Sequence, residues 1–186
     1  MKKVAYSGIE GAFAHVVARK LFPDAIHVSY ENFKEAYKAA ETGECDLAVL
    51  PIRNSYAGPV KEVAKLFEEG SLHINAEYDL PITQNLLGVR GSRLSDIKKV
   101  ISQKKALEQC DGYIKEKGYE IEEAENTAVA AREVGRLQNI SVAAVASLEV
   151  AAIYGLKVLA EHINERDDNT TRFVVVSRSD ETISFQ

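Results

Sequence analysis

The sequence predicts an α/β protein of two lobes with a cleft between them. Short β-branched runs alternate with amphipathic helical segments, which implies βαβ units and mainly parallel sheets. The stretch 72–89 is long for one central strand and Pro81 interrupts it, which places a crossover between lobes near Asp79. A polar run at 161–170 precedes a strong strand at 172–177, so the chain returns near Asp168 and its last strand rejoins the first lobe. Lobe 1 then holds residues 1–78 and 168–186, and lobe 2 holds residues 79–167. A single doubly wound sheet is the alternative arrangement.

The elements follow in order. Residues 3–6 read as a strand, 7–11 as a glycine turn and 12–22 as a helix closed by Pro23. A short strand at 26–28 precedes a helix over 31–41. There Phe33, Ala36, Tyr37 and Ala40 share one face, and Gly43 ends the element. Residues 46–50 form a buried-type strand, and 51–59 a polar loop opening a helix that reaches Glu69. Residues 72–80 and 82–89 are extended, 97–101 is a strand, and 104–117 is one helix ended by Gly118. A strand at 119–122, a helix over Thr127–Leu137, a strand at 141–145, a helix over 147–154 and a short extended pair at 158–159 complete the second lobe.

Composition bounds the partners. The chain has 186 residues, 46% hydrophobic and 27% charged, as expected of a globular protein. Its formal net charge of -5 argues against binding the phosphate backbone of nucleic acids, which requires clustered Lys and Arg. Cys45 and Cys110 form no Cys-x-x-Cys pair and read as reduced, partly buried thiols. No secretory signal and no apolar run long enough to span a bilayer is present, which predicts a cytoplasmic protein without membrane contact. His15, His27, His73 and His162 are dispersed, so no metal site is expected, and no Gly-x-Ser-x-Gly hydrolase elbow occurs.

Five segments carry chemistry, each with a plainer structural reading. Ser7-Gly8-Ile9-Glu10-Gly11-Ala12-Phe13 presents backbone N–H groups to an anion, or is simply a tight βα turn. Pro51-Ile52-Arg53-Asn54-Ser55 follows a strand end, where open α/β sheets bind ligands. In it Asn54 orients a carbonyl or carboxylate, Ser55 binds ligand or caps a helix, and Arg53 is a carboxylate clamp or a solvated charge. Ser102 is read as an N-cap ahead of Lys104 and Lys105, whose charges oppose the helix dipole; the two are solvated lysines, the better reading, or partners of an anionic ligand that offsets the cost. Asn126-Thr127 places a hydroxyl at a helix start, before small residues that permit close approach of a ligand or the other lobe, or simply caps that helix. Asn169-Thr170-Thr171-Arg172-Phe173 puts a hydroxyl beside a guanidinium, to offer a proton and hold a carboxylate, or forms a polar strand edge.

The order and spacing of these segments resemble the catalytic domain of prephenate dehydratase over nearly the whole chain. Gly8-Ile9-Glu10-Gly11-Ala12-Phe13, Ala48-Val49-Leu50-Pro51-Ile52-Arg53-Asn54-Ser55, Ser102 with Ala106-Leu107-Glu108-Gln109-Cys110, Asn126-Thr127-Ala128-Val129-Ala130-Ala131, Tyr154-Gly155-Leu156 and Asn169-Thr170-Thr171-Arg172-Phe173 carry the likeness. The family's Thr-Arg-Phe motif stands unchanged. The resemblance implies a two-lobed, periplasmic-binding-protein-like (type II) fold with an interlobe cleft. It implies decarboxylative dehydration of prephenate to phenylpyruvate, in phenylalanine biosynthesis, with no metal or organic cofactor and with a homodimer as the plausible assembly. It assigns Thr171, Asn54 and Ser102 to catalysis, Thr171 as donor to the leaving hydroxyl. It assigns Arg172, Ser55, Thr127, Gly11, Phe173, Arg53 and Lys105 to substrate binding, Arg172 as a carboxylate holder.

Two departures stand out. The family's Pro-Ile-Glu-Asn-Ser has Arg53 here in place of the acid, and its Ser-His-Pro-Gln-Ala-Leu has Gln103, Lys104 and Lys105 after Ser102. Both add positive charge, which favours a dianion and alters the proton bookkeeping. They motivate two other readings: a diverged prephenate decarboxylase, and a non-catalytic binder of small carboxylates. The chain ends soon after the Thr-Arg-Phe strand, so the family's regulatory ACT domain, and feedback binding of phenylalanine by it, are not expected.

Overall fold

Residues 47–50, Leu-Ala-Val-Leu, are buried, and the first sheet is built around them in the computed structural model, which describes residues 1–185. The chain enters through β1 (Lys3–Ser7), α1 (Phe13–Leu21), β2 (Ile26–Tyr30), α2 (Phe33–Thr42), β3 (Leu47–Asn54), β4 (Gly58–Pro59), α3 (Lys61–Glu69) and β5 (His73–Pro81). It continues through β6 (Asn85–Val89), β7 (Lys99–Ser102), α4 (Lys104–Gln109), α5 (Asp111–Lys117), β8 (Glu120–Glu123), α6 (Thr127–Leu137), β9 (Val142–Ala146), α7 (Glu149–Ile153), β10 (Leu156–Ala160) and β11 (Thr170–Ser177). These elements form two units: Met1–Pro81 with the chain from Asp168 onward, and Ile82–Asp167.

The first unit has strand order β2-β1-β3-β11-β5, with β4 paired to β3. β1 runs parallel to β2 and β3, and β11 runs antiparallel to both β3 and β5. The apolar face of α2, with Ala36, Tyr37 and Ala40, packs with Ala48, Leu50, Val174 and Val176. Burying each larger aliphatic side chain stabilises the fold by roughly 1.5–3 kcal/mol. The helix starts where Asn32 Oδ1 accepts the Glu35 N–H at 2.9 Å and stops at Gly43, whose φ of 85° is left-handed. At its side the Tyr37 hydroxyl accepts the Leu72 N–H at 3.1 Å, inside the core.

The second unit has strand order β10-β6-β9-β7-β8. β9, β7 and β8 are parallel, while β6 is antiparallel to both of its neighbours. Leu86, Val100, Leu107, Cys110, Ile114 and Val145 make its core.

The α/β class agrees with the sequence, and several local expectations are corrected. Each sheet is mixed rather than mainly parallel, because β11 and β6 enter antiparallel. The units divide after Pro81, not at Asp79, because β5 stays paired with β11 through Pro81 opposite Thr170. Residues 51–54 are strand, not loop, since β11 supplies a partner as far as Asn54. The helix expected over 104–117 breaks at Cys110 into α4 and α5; Glu165 accepts the Gly112 N–H at 2.6 Å and so caps a separate second helix. Both cysteines are free and fully buried, and burial pushes the Cys110 thiol up to about 12. Gln186 lies outside the described residues. Among the described residues no helix is long and apolar enough to cross a membrane.

Tyr37→Phe keeps the ring and deletes the acceptor, leaving the Leu72 N–H buried and unpaired. The expected loss is about 1–3 kcal/mol in urea unfolding, with little change in the far-ultraviolet spectrum.

Candidate active site

In the first unit β1 and β3 are parallel, so they end at the same sheet edge, and antiparallel β11 begins there. Three pieces of chain meet that edge: the glycine turn after β1, Asn54 and Ser55 at the end of β3, and Thr170 and Thr171 at the start of β11. Carboxyl ends of parallel strands are where open α/β sheets present ligand-binding groups.

Asn54 organises this edge. Its Nδ2 donates to Thr171 Oγ1 at 2.9 Å and to Asn169 Oδ1 at 2.8 Å, with a longer contact to the Thr170 carbonyl at 3.3 Å. Its Oδ1 accepts the N–H groups of Tyr56 and Ala57, each at 3.0 Å. Two backbone donors facing Oδ1 fix the orientation of the amide. Thr171, half-buried, accepts from Asn54 and keeps its own hydroxyl proton to donate. Ser55 Oγ accepts the Thr170 N–H at 3.0 Å and donates to the Asp168 carbonyl at 3.2 Å. Next to it the Tyr56 hydroxyl donates to Asp168 Oδ1. Ser55 therefore pins the segment entering β11 and does not cap a helix.

The two arginines lie elsewhere. Thr171 stands opposite Asn54 and Arg172 opposite Arg53, and successive strand residues face opposite sides of a sheet. Arg172 therefore turns away from the Thr171 hydroxyl. Its Nε and Nη2 donate to the two oxygens of Asp79 at 2.8 and 2.9 Å, and Nη1 lies 3.2 Å from Glu77 Oε2. The expected carboxylate holder already holds protein carboxylates. Hydrogen bonds from Arg172 keep the Asp79 carboxyl below its usual range. Arg53 is exposed on the same face as Arg172, away from Asn54 and Thr171.

The remaining expected residues fall in three places. The Gly11 N–H donates to His15 Nδ1 at 2.9 Å, so it is not offered to an anion. Phe173, 2% exposed, belongs to the core of the first unit; a register shift between Arg172 and Phe173 re-aims the strand there. Ser102, Lys105 and Thr127 belong to the second unit. Ser102 is fully buried and its hydroxyl donates to the Val145 carbonyl at 2.5 Å, tying β7 to β9 instead of capping α4. Lys105 is exposed in the first turn of α4, and Thr127 is buried at the start of α6, which Asn126 caps by accepting the Val129 N–H at 2.8 Å. Among the described residues no group of three or more His, Cys, Asp or Glu side chains is placed to hold a metal ion.

Asn169, buried beside Asn54, and the acids Asp79 and Glu77 are absent from the sequence-derived assignments. Asn169 lies within a quoted motif, but its partner is 115 residues away in the chain. The acids are adjacent to Arg172 only through the β5–β11 register.

Comparisons with known proteins place the chain in a family. The family model described as Prephenate dehydratase matches residues 4–181. Arogenate dehydratase/prephenate dehydratase 1, chloroplastic, of Arabidopsis thaliana is 40% identical over 176 residues, 95% of this chain and 45% of the relative. The chain thus spans about half the length of the curated relatives it matches, 45% or 46% for the first three. A prephenate dehydratase from Arthrobacter aurescens, solved in complex with L-Phe, superposes with a TM-score of 0.87 at 29% identity, over 99% of this chain and 63% of that one. The protein GqqA, described as a novel type of quorum quenching acylase, superposes with a TM-score of 0.88 at 30% identity, over 99% of this chain and 67% of that one. Likeness of fold alone is thus shared by proteins described with different activities. The family match over nearly the whole chain decides the classification: this chain belongs to the prephenate dehydratase family.

Proposed function

We propose that this chain catalyses the decarboxylative dehydration of prephenate to phenylpyruvate, with Thr171 as the donor to the departing hydroxyl. The observation that carries the reading is the hydrogen bond from Asn54 Nδ2 to Thr171 Oγ1. In the reaction the bond to the ring carboxylate breaks and CO2 leaves. Its electron pair enters the ring, the ring C–O bond breaks, and the hydroxyl takes a proton and leaves as water. An unperturbed threonine is a very weak acid. Donation from Asn54 into the Thr171 oxygen polarises its O–H bond and stabilises charge that develops on that oxygen. Asn169 holds the other Asn54 N–H, so the amide cannot rotate away.

Substrate carboxylates then need partners other than Arg172. The proposal gives one of them to the first-turn amides of α1, where helix geometry leaves N–H groups without intrahelical acceptors. Arg172 becomes a positioning residue. Its bond to Asp79 clamps β11 to β5 one residue beyond Thr171. Arg53, on the far face, leaves the proton bookkeeping at Thr171 untouched. This favours the dehydratase over the decarboxylase and the non-catalytic binder. The buried free thiols suit a reducing compartment, so the proposal places the protein in the cytoplasm, acting on a small molecule.

The deciding experiment incubates the protein with prephenate, and separately with arogenate, and follows the aromatic product. Formation above the spontaneous rate is expected with prephenate. Binding without product overturns the proposal in favour of a carboxylate binder, and loss of CO2 without an aromatic product favours the decarboxylase.

Thr171→Ala is expected to lower kcat by about 10²-fold or more with a smaller effect on KM, and Thr171→Ser to restore most of the loss. Asn54→Ala is expected to cost a similar 10²-fold or so in kcat, and the double variant to fall little further, because both remove one device. Arg53→Glu is expected to leave kcat within about threefold. It should raise stability by about 0.2–1 kcal/mol in urea unfolding, since it replaces like charges standing opposite each other. A large rise in kcat would instead place Arg53 in the chemistry.

A further inference from the structure

His15 lies outside every role assigned above, and its surroundings are unusual. It is 4% exposed, in the first turn of α1. Ala12, the residue before that helix, has no side chain able to cap it. His15 instead reaches back and accepts the Gly11 N–H at Nδ1, much as Glu or Gln reaches back in a capping box. Its ring lies 4.7 Å from the Tyr6 ring and 5.8 Å, edge to face, from the His27 ring, centroid to centroid. His27 Nε2 is in turn 3.0 Å from the Phe22 carbonyl.

The bond fixes the chemistry of the ring. A nitrogen that accepts carries no proton, so neutral His15 holds its proton on Nε2. Protonation would add a proton at Nδ1, pointing one N–H at another. The bond to Gly11 therefore exists only while His15 is neutral. Three further ties of the turn involve no titratable group: Gly8 N–H to the Tyr30 carbonyl at 2.9 Å, Ser29 Oγ to the Gly8 carbonyl at 2.5 Å, and Ala12 N–H to the Ile9 carbonyl at 3.0 Å. Gly11 takes a φ of 90°, a conformation open to glycine and strained for other residues, so the turn relies on a residue of high backbone freedom.

We propose that His15 is a positioning residue whose neutral ring, by holding Gly11, sets the turn through which the start of α1 meets the substrate's anionic group. The inference rests on the proposed placement of the substrate at this edge of the first unit. Burial is the largest influence on the ring and lowers its pKa from the ordinary 6.5; His27 and Arg19 lower it further and Glu10 opposes them. The ring thus stays neutral at physiological pH. The unfolded chain binds the proton first, so this contribution to stability is complete above about pH 6.5 and is lost as pH falls below it.

The test joins a spectroscopic and a kinetic readout. NMR of the uniformly 15N-labelled protein should show His15 unprotonated at Nδ1 and protonated at Nε2 at pH 7.5, with the Gly11 amide shift following the His15 titration. For prephenate turnover, KM should rise as pH falls below 6.5 while kcat changes less. His15→Leu should raise KM about tenfold at pH 7.5, on the scale of one lost hydrogen bond. His15→Gln keeps an acceptor that does not titrate, so KM should stay within about threefold of the parent and its rise in acid should flatten. A proton on Nδ1 overturns the proposal. So does a folded His15→Leu protein with the parent KM and pH profile. Should His15→Leu fail to fold, the pH profile of His15→Gln decides, and an acid rise like the parent's overturns the proposal. A parent protein that turns over neither substrate counts against the dehydratase reading, and the NMR titration still decides whether His15 holds Gly11.

Discussion

The insertion of β11 between β3 and β5 is the constraint on which the first unit depends. The two pairings draw together residues that are about a hundred positions apart in sequence, such as Thr171 with Asn54 and Arg172 with Asp79. Val174, Val175 and Val176 are buried in this strand, so its register is set by apolar burial and not by the polar groups at its end. A slip of one residue would exchange the faces of Thr171 and Arg172. It would aim the guanidinium at Asn54 and the hydroxyl at the acids of β5. The apolar half of β11 therefore decides which polar residue meets the amide.

The charges on the other face follow from the same register. Two arginines stand opposite each other across β3 and β11, an arrangement that costs stability by itself. Asp79 and Glu77 on the next strand compensate by engaging Arg172. The pair is solvent-exposed, so it contributes geometry more than net energy. A guanidinium gripped by both oxygens of one carboxylate holds β11 against β5 in one orientation. With Arg53 standing opposite Arg172, the neighbouring strand supplies the acids that engage Arg172.

Much of the architecture was legible in the sequence because it rests on periodicity and punctuation. The α6 bounds, the Gly43 stop and the buried runs of β1, β3 and β9 come from local pattern, which burial then reinforces. The antiparallel entries of β6 and β11 were not legible, since no local pattern states which strand lies beside which. Residues 51–54 looked like loop for the same reason, as Pro and Asn suit turns until a partner strand is present. At the site, residue types were legible and orientations were not. Thr171 and Arg172 are neighbours in sequence, which suggests cooperation, yet strand alternation separates them. Gly11 looked like an anion donor until the ring of His15, four residues on, took its N–H.

The amide of Asn54 shows how little freedom the site retains. It has two N–H groups and one oxygen with two lone pairs, and the structure uses all of them: Asn169 and Thr171 on one side, the Tyr56 and Ala57 amides on the other. Aspartate at this position would lose both donors and face the Asn169 and Thr171 oxygens with negative charge. Glutamine would carry the amide one methylene further and could not keep both sets of bonds from the same backbone. Asn54 has no bond left to offer outside this network, so under the proposed function it acts through Thr171. That residue keeps one proton to give, at the end of a network otherwise satisfied within the protein. In the proposed reaction a donor whose own oxygen is fixed by an immobile amide needs no rearrangement at the moment of transfer, and this preorganisation separates Thr171 from an ordinary strand-edge threonine.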